Sequence, residues 1–326
     1  MNRRDFLHLT SLAVVGATVA STGARASKAP LAGAGAPDLT AADYRATRQF
    51  AQTPFGRIAY VERGVGRPAL FLHGFPLNGF QWRGALPRLA PYRRCIAPDF
   101  LAMGYSDVAE GQGVDPHAQV AMIVGLLDAL GLDSADVVAN DSGGAVAQLL
   151  LAQHPERVRT LLLTNCDAEN DSPPPALLPV IELSKQGRFV DEWLAAWQAD
   201  KVRARSADGI GGMCFADPAH PTDEAIDMYF APLIASPRRK ALVHAYAIAL
   251  EANPLDGIAP RLARSDVPVR IVWAMGDTIF SPASAAYLDK AFGNSRGVRR
   301  LGRGKLFWPE EQPDVVAEEA KRLWGV

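Results

Sequence analysis

The stretch from residue 135 to residue 148 constrains the fold of this chain more than any other. It reads Ala-Asp-Val-Val-Ala-Asn-Asp-Ser-Gly-Gly-Ala-Val-Ala-Gln, which is a short apolar run, a polar turn, two glycines and a run of small residues. This order is typical of a nucleophile elbow, in which a sharp strand-to-helix turn lifts one reactive side chain to the end of a parallel sheet. Glycine beside the turn allows the helix and the strand to pack without a clash at Cβ.

Two residues compete for the position of the nucleophile. Asp141 has the small Ala139 two positions before it, whereas Ser142 has the larger Asn140 there. Either choice leaves a glycine two positions later, so the spacing favours Asp141 and keeps Ser142 as the alternative. An Asx turn that only caps a helix would explain Asp141 by itself, but it would not explain the motifs found around it.

Apolar runs alternate with helical patterns on both sides of the elbow. Continuous apolar runs at residues 68–72, 94–97 and 160–164 are typical of strands that are buried on both faces of a sheet. This alternation predicts a parallel sheet with helices on both faces. From about residue 172 to residue 266 the pattern is helical, and the sheet resumes at residue 267.

Together these features resemble the α/β-hydrolase superfamily. Its elbow helix usually continues into a His-Pro-Glu-Arg-Val turn, which stands here at residues 154–158, and counting back by the usual interval reaches Asp141. The resemblance implies an α/β-hydrolase fold with a mostly parallel eight-stranded sheet, helices on both faces and a helical lid insertion. It assigns residues 45–171 and 267–326 to the core and residues 172–266 to the lid.

The sequence His73-Gly74-Phe75-Pro76 follows the apolar run at residues 68–72 and resembles the oxyanion loop of the superfamily. The resemblance implies that the main-chain N–H groups of Phe75 and Ser142 converge on a developing negative oxygen. It also implies that His73 is a structural hydrogen-bonding group, because this histidine accompanies the motif whichever nucleophile is used.

Two further aspartates follow strand-like runs. Asp277 matches the acid that the superfamily places after its penultimate strand, where it holds and polarises the catalytic histidine. Asp167 follows the preceding strand and is a second possible acid in the branches that use an aspartate nucleophile. The resemblance therefore predicts Asp141 and Asp277 as catalytic residues and keeps Asp167 as a further candidate.

The catalytic histidine is missing from its usual motif. The superfamily usually has Gly-His-Phe-x-x-Glu-x-x-Pro, whereas residues 305–313 read Lys-Leu-Phe-Trp-Pro-Glu-Glu-Gln-Pro, which places Leu306 at the histidine position. Lys305 and His244 are candidates for a replacement base. An ionised aspartate attacks carbon without a base, whereas a serine hydroxyl needs one from the start, so the missing histidine again favours Asp141.

The branches known for an aspartate nucleophile are haloalkane dehalogenases and epoxide hydrolases, which implies a small apolar electrophile as the substrate. The dehalogenase pattern usually has Trp after the nucleophile and Asn after His-Gly, where this chain has Ser142 and Phe75. Epoxide-type chemistry is therefore favoured, and lid tyrosines become candidates for protonating the epoxide oxygen. The side chains predicted to contact the substrate are Trp82, Tyr229, Tyr246 and Trp308.

Three functions stay open at this point. The first is an exported enzyme that uses Asp141 on an epoxide- or halide-type substrate, with an incomplete triad. The second is an esterase or lyase that depends on Ser142 and an unusual base. The third is a binding protein of the same fold that has no catalytic activity.

The first residues of the chain indicate an export signal. Two arginines at residues 3–4, an apolar run at residues 9–20 and a small-x-small site at residues 24–26 predict a cleaved twin-arginine-type signal peptide at residues 1–26. A flexible leader rich in Ala, Gly and Pro is predicted at residues 27–44. We therefore expect the twin-arginine export machinery as a partner, a periplasmic or secreted location, and no stable membrane span.

Composition excludes several other classes of function. The formal net charge is −1, and no basic block is interleaved with aromatic residues, so a nucleic-acid partner is not expected. The three cysteines, Cys95, Cys166 and Cys214, form no cluster with histidines at zinc-binding spacing. We expect a small-molecule substrate, no metal and no cofactor.

Overall fold

The computed structural model describes residues 35–326 of the chain. The predicted signal peptide at residues 1–26 and the predicted leader up to residue 34 lie outside the described residues. Export and the periplasmic or secreted location therefore stay predictions.

The end of the predicted leader belongs to the folded protein. Helix α1 (Ala41–Ala46) begins with a capping box, in which Thr40 and Asp43 each accept a hydrogen bond from the other's backbone N–H. Its Tyr44 is 2 % exposed, and the Tyr44 ring lies edge-on to Phe80 with the ring centroids 5.2 Å apart. The prediction of a flexible leader up to residue 44 is wrong for residues 41–44, because they form a helix that buries an aromatic side chain.

Nine strands form a single sheet in the described residues. Their bounds are β1 (Arg48–Thr53), β2 (Gly56–Arg63), β3 (Pro68–Leu72), β4 (Arg94–Pro98), β5 (Asp107–Val108), β6 (Ala135–Asp141), β7 (Val158–Cys166), β8 (Val269–Ala274) and β9 (Ser295–Leu301). Their order is β1-β2-β4-β3-β6-β7-β8-β9, with the two-residue β5 paired to β2 outside this order. The pairs that include β2 are antiparallel and the others are parallel. The predicted mostly parallel sheet is confirmed, and β5 is an addition to its eight predicted strands.

Helices cover both faces of this sheet. After α1 they are α2 (Ala85–Leu89), α3 (Pro116–Ala129), α4 (Ser142–Gln153), α5 (Leu178–Lys185), α6 (Ala196–Ala199), α7 (Lys201–Ala204), α8 (Ile210–Cys214), α9 (Asp223–Ile234), α10 (Pro237–Ala249), α11 (Ala259–Ala263), α12 (Pro282–Ala291), α13 (Trp308–Glu311) and α14 (Pro313–Trp324). Helices α5 to α11, with a π-helical segment at Val190–Ala195, fill the connection between β7 and β8, which is the region predicted as the lid. None of the helices in residues 35–326 combines the length and the apolar composition that crossing a membrane requires.

Two glycines allow helix α4 to begin where strand β6 ends. A Cβ atom at Gly143 would lie 2.5 Å from the carbonyl oxygen of His73, and a Cβ atom at Gly144 would lie 2.3 Å from the Cβ of Cys166 on β7. Both distances are far shorter than a van der Waals contact, so only glycine fits at either position. The start of α4 therefore packs tightly between the ends of β3 and β7, and this packing fixes Asp141.

We predict that Gly144→Ala lowers the free energy of unfolding by about 3 kcal/mol, because the added methyl group overpacks the contact with Cys166. Urea denaturation followed by circular dichroism measures the change. Gly302→Ala is the matched control, since no heavy atom lies within 4 Å of a Cβ atom at that position. Equal stability of the two variants would contradict the tight packing described here.

Candidate active site

Asp141 lies at the junction of strand β6 and helix α4 in a strained backbone conformation. Its φ is 55° and its ψ is −135°, a region that residues with a side chain occupy at a cost on the order of 1–3 kcal/mol. Ser142 is the first residue of α4. The strained apex of the elbow is therefore Asp141, which is the place that a nucleophile elbow gives to its reactive residue.

Two main-chain N–H groups face the Asp141 carboxylate. Ser142 donates to Oδ1 at 2.5 Å, and hydrogen bonds from the N–H groups of Ser142 and Phe75 both act to lower the pKa of Asp141. Gly74 makes this approach possible, because a Cβ atom there would lie 2.8 Å from Oδ2 of Asp141. The two amides predicted to form an oxyanion hole are thus brought together at this carboxylate.

His73 has a structural position, as predicted. Its Nδ1 donates to the carbonyl oxygen of Gly74 at 2.9 Å, and its Nε2 accepts a hydrogen bond from the N–H of Phe100 at 3.0 Å. Burial lowers the pKa of His73 to about 4. The imidazole is therefore neutral, both of its nitrogens are occupied, and it connects the oxyanion loop to the chain after β4.

Asp141 borders an apolar cavity between the sheet and the lid. Its volume, measured as the space open to the centres of water-sized molecules, is about 90 Å³. This is several times the space that one water requires, so the cavity can hold a small organic molecule. Its walls are mostly aliphatic and aromatic, and the aromatic side chains that line it are Phe75, Phe189, Trp193, Trp197, Phe280 and Phe307.

Three of these aromatic residues, on the lid, were missed by the sequence analysis. Phe189, Trp193 and Trp197 are four residues apart, and successive ring centroids lie 5.7 Å and 5.3 Å from each other. Residues four apart lie on one face of a helix, so the repeated spacing was a signal that could have identified this wall of the cavity.

Asp167 is a second carboxyl group in the lining of the cavity. It directly follows strand β7, its residue is 5 % exposed, and its Oδ1 accepts a hydrogen bond from Oγ of Ser172 at 2.9 Å. Gln148 of helix α4 donates from its side-chain amide to the carbonyl oxygens of Asp167 and Gly144, at 2.8 Å and 3.0 Å. Burial raises the pKa of Asp167 to about 7.

The cavity contains acidic groups without a basic group beside them. Among the described residues that line it, Asp141 and Asp167 are the only acidic side chains, and no lysine, arginine or histidine is present. Burial first, and then the neighbouring Asp167, raise the pKa of Asp141 well above its ordinary value. The two carboxyl groups are therefore coupled, since a charge on either one disfavours a charge on the other.

Leu306 lines the cavity at the position where the resemblance places histidine. Its carbonyl oxygen accepts a hydrogen bond from Nδ2 of Asn140 at 3.1 Å, which ties this segment to the end of β6. The two candidate replacement bases lie elsewhere: Nζ of Lys305 donates to the carbonyl oxygen of Gly212 at 2.5 Å, and Nε2 of His244 accepts from the N–H of Val190 at 3.1 Å. Neither side chain lines the cavity.

Asp277 is buried but does not line the cavity. Its Oδ2 accepts a hydrogen bond from Nδ2 of Asn165 at 2.8 Å, and its Oδ1 accepts from the N–H of Ile279 at 2.9 Å. Burial raises the pKa of Asp277 to about 6. Asn165, which the sequence analysis missed, is thus a buried side-chain donor to Asp277, and within residues 35–326 no histidine is among the hydrogen-bond partners of Asp277.

The four side chains predicted to contact the substrate are not among the residues that line this cavity, and their contact with a substrate stays a prediction. Trp82 is fully buried with its ring centroid 5.7 Å from that of Phe71, and Tyr246 is fully buried with its centroid 5.4 Å from that of Phe75.

Tyr229 and Trp308 point their polar atoms at buried partners instead of the cavity. The hydroxyl of Tyr229 donates to Oε2 of Glu310 at 2.5 Å, and Nε1 of Trp308 donates to Oδ1 of Asn165 at 3.0 Å. All four rings are thus part of the core or of the contact between core and lid. The aromatic pattern could not separate these roles, because large aromatic rings are buried in both places.

Comparisons with known proteins identify the family to which this fold belongs. The family model for the alpha/beta hydrolase fold matches residues 68–307. Haloalkane dehalogenase 2 of Mycobacterium tuberculosis (strain ATCC 25618 / H37Rv) is 27% identical over 290 residues, which cover 83% of this chain and 92% of that protein. The 2-hydroxymuconate semialdehyde hydrolase of Pseudomonas sp. (strain CF600) is 41% identical over 105 residues, which cover 31% of this chain and 37% of that protein.

A solved structure gives the same result for the fold. The epoxide hydrolase CorEH superposes with a TM-score of 0.70 at 22% identity, covering 86% of this chain and 98% of that chain. The matched family model includes the oxyanion loop, the elbow and Leu306. The chain belongs to the α/β-hydrolase superfamily of enzymes.

Proposed function

We propose that this protein is a hydrolase in which the Asp141 carboxylate attacks a carbon atom of a small apolar electrophile, an epoxide or an alkyl halide. The attack forms an ester between Asp141 and the substrate carbon, and water then hydrolyses that ester. The observation that carries the proposal is the place of Asp141 at the strained apex of the elbow, bordering an apolar cavity.

The two amides support both steps of this reaction. Before the attack they bind one oxygen of the Asp141 carboxylate, and the other oxygen is free to reach the substrate carbon. In the ester they face the carbonyl oxygen, on which negative charge develops when water adds to the carbonyl carbon. The N–H groups of Ser142 and Phe75 can take this role, since both donate hydrogen bonds to the Asp141 carboxylate.

The surroundings of Ser142 favour Asp141 as the nucleophile. A serine hydroxyl needs a base to remove its proton, and no histidine or lysine lines the cavity within residues 35–326. An aspartate that has lost its proton requires no such group. The names of the similar proteins also support the proposal, because a haloalkane dehalogenase is similar to most of the chain.

We predict that a single turnover in ¹⁸O-labelled water places one heavy oxygen on Asp141, because water attacks the carbonyl carbon of the ester and leaves its oxygen on the carboxyl group. Peptide mass spectrometry after reaction with 1,2-epoxyhexane or 1-bromohexane measures the label. Labelled diol or alcohol with an unlabelled Asp141 would contradict the ester, since the water would then have attacked the substrate directly.

We predict that Asp141→Asn lowers turnover by a factor of about 10³ or more, because a neutral amide does not form the ester. Asp107→Asn is the matched control, since Asp107 is an exposed residue that pairs with Arg57 on the surface. Both variants are assayed by product formation, with intact-protein mass to detect the ester. Labelling of Ser142 by a fluorophosphonate would instead support the serine enzyme, and binding without any ester or product would support the non-catalytic protein.

A further inference from the structure

We propose that Asp167 is the proton donor and acceptor of this site: it protonates the epoxide oxygen while Asp141 attacks, and it then removes a proton from the water that hydrolyses the ester. This inference rests on the proposed function of Asp141. It adds a second catalytic residue and selects epoxides, as against alkyl halides, as the substrate class.

The sheet brings the two carboxyl groups to one edge. Asp141 ends strand β6 and pairs in the parallel register with Cys166, and Asp167 is the next residue of the neighbouring chain segment. Both side chains line the same cavity. Gln148 holds the backbone of Asp167 to the helix that begins directly after Asp141, so the two groups have a common support.

The hydrogen-bond partners distinguish the two groups. Main-chain N–H groups only donate, so the amides of Ser142 and Phe75 favour the ionised form of Asp141. Asp167 contacts its own main-chain N–H and the hydroxyl of Ser172, and a hydroxyl can donate to a carboxylate or accept from a carboxylic acid. Asp167 is thus the group that can exist in both protonation states.

The charges around Asp167 keep one proton in the cavity. Asp141, whose pKa is raised by both Asp167 and Asp277, ends the neighbouring strand. Asp171 follows Asp167 in its own segment, and the Tyr246 hydroxyl and the Cys166 thiol are neutral groups nearby. With no basic side chain among the described residues of the lining, two ionised carboxylates would repel each other without compensation. Burial raises the pKa of both carboxyl groups. The hydrogen-bond partners described above favour the shared proton on Asp167, where a pKa of about 7 suits a group that both gives and takes a proton near neutrality.

The reaction balances with these two groups and water. An oxygen of Asp141 bonds to an epoxide carbon, the ring C–O bond breaks, and the released alkoxide takes the proton of Asp167. Asp167, now ionised, takes a proton from water as the water oxygen bonds to the ester carbonyl carbon. When the ester C–O bond breaks, the departing alkoxide takes that proton back from Asp167, and the second proton of the water, which is left on the Asp141 carboxyl group, then passes to Asp167. This yields a diol and restores both groups.

The leaving group decides between the two substrate classes. An alkoxide is strongly basic and needs a proton as it forms, whereas a halide ion leaves without one. Of the lid tyrosines that were expected to supply this proton, Tyr229 bonds to Glu310 away from the cavity. The Tyr246 hydroxyl contacts Ser142 near both carboxyl groups, but burial raises its pKa further above that of a carboxylic acid. Asp167 is therefore the carboxylic acid that remains available to an epoxide bound against Asp141.

We predict that Asp167→Asn slows the opening of 1,2-epoxyhexane by at least about 100-fold but leaves the alkylation of Asp141 by 1-bromohexane close to the wild-type rate. The alkyl ester should then persist, with release of one bromide per chain, because no base activates water. Stopped reactions analysed by intact-protein mass and bromide release separate the two steps. Asp107→Asn is the matched control, since it removes an exposed carboxylate that pairs with Arg57 on the surface and should keep both steps.

Each outcome of this experiment bears on one of the two proposals. Loss of neither step, or equal loss of both steps in a variant that unfolds like the wild type, would overturn the role of Asp167 and leave the Asp141 ester standing. Absence of any Asp141 ester in the wild-type protein would overturn the proposed function itself. Asp167→Glu, which retains a carboxyl group, should recover part of the epoxide opening; no recovery in a folded Asp167→Glu variant would count against proton transfer.

We also predict that kcat/KM of the wild-type protein for the epoxide falls about tenfold per pH unit above about pH 7, because the acid form of Asp167 is lost there. The Asp167→Asn variant should lack this decline, since its amide does not titrate. Initial rates of diol formation between pH 5 and pH 9 measure both profiles. The same decline in the variant would contradict the assignment.

Discussion

Two carboxyl groups share an apolar cavity whose lining, within residues 35–326, contains no basic side chain, and this charge imbalance governs the site. The structure meets it in two ways. It directs two main-chain amides at Asp141, where dipoles that are fixed by the fold stabilise a charge without a counter-ion. It gives Asp167 a hydroxyl partner, beside which a carboxyl group is satisfied with or without its proton. Three further features support this arrangement: the strained turn at Asp141, the absence of side chains at Gly74 and Gly144, and the apolar walls of the cavity.

Much of this architecture could be predicted from the sequence, because the features that specify it are local. The elbow, the oxyanion loop and the alternation of apolar runs each occupy a short stretch of chain, and their glycines and aspartates have backbone requirements that few other residues meet. The same reasoning aligned Leu306 with the histidine position, since a motif with two altered positions, Lys305 and Leu306, still aligns on its other residues. The position of Asp141 at the strained apex followed from small residues around it, and the φ of 55° agrees.

What could not be predicted depends on contacts between distant segments. The lid contributes Phe189, Trp193 and Trp197 to the cavity through helix packing, whereas the four aromatic residues chosen from the sequence are buried elsewhere. Asn165 of β7 donates a hydrogen bond to Asp277, which follows β8. The two residues meet only because β7 and β8 are paired in the sheet. Residues 41–44 resembled a leader by composition, yet one tyrosine ring anchors them, because burial of a large ring outweighs the weak preferences of its neighbours.

Gln148 gives the site a property that reaches beyond the single reaction. Its amide group bonds to both Gly144 and Asp167, so the backbone that carries the second carboxyl group is attached to the elbow helix and not to the lid. The spacing of Asp141 and Asp167 is therefore set by the sheet and by helix α4. Substitutions in the lid beyond Ser172 can therefore change the shape of the cavity without changing the contacts that hold Asp141 and Asp167.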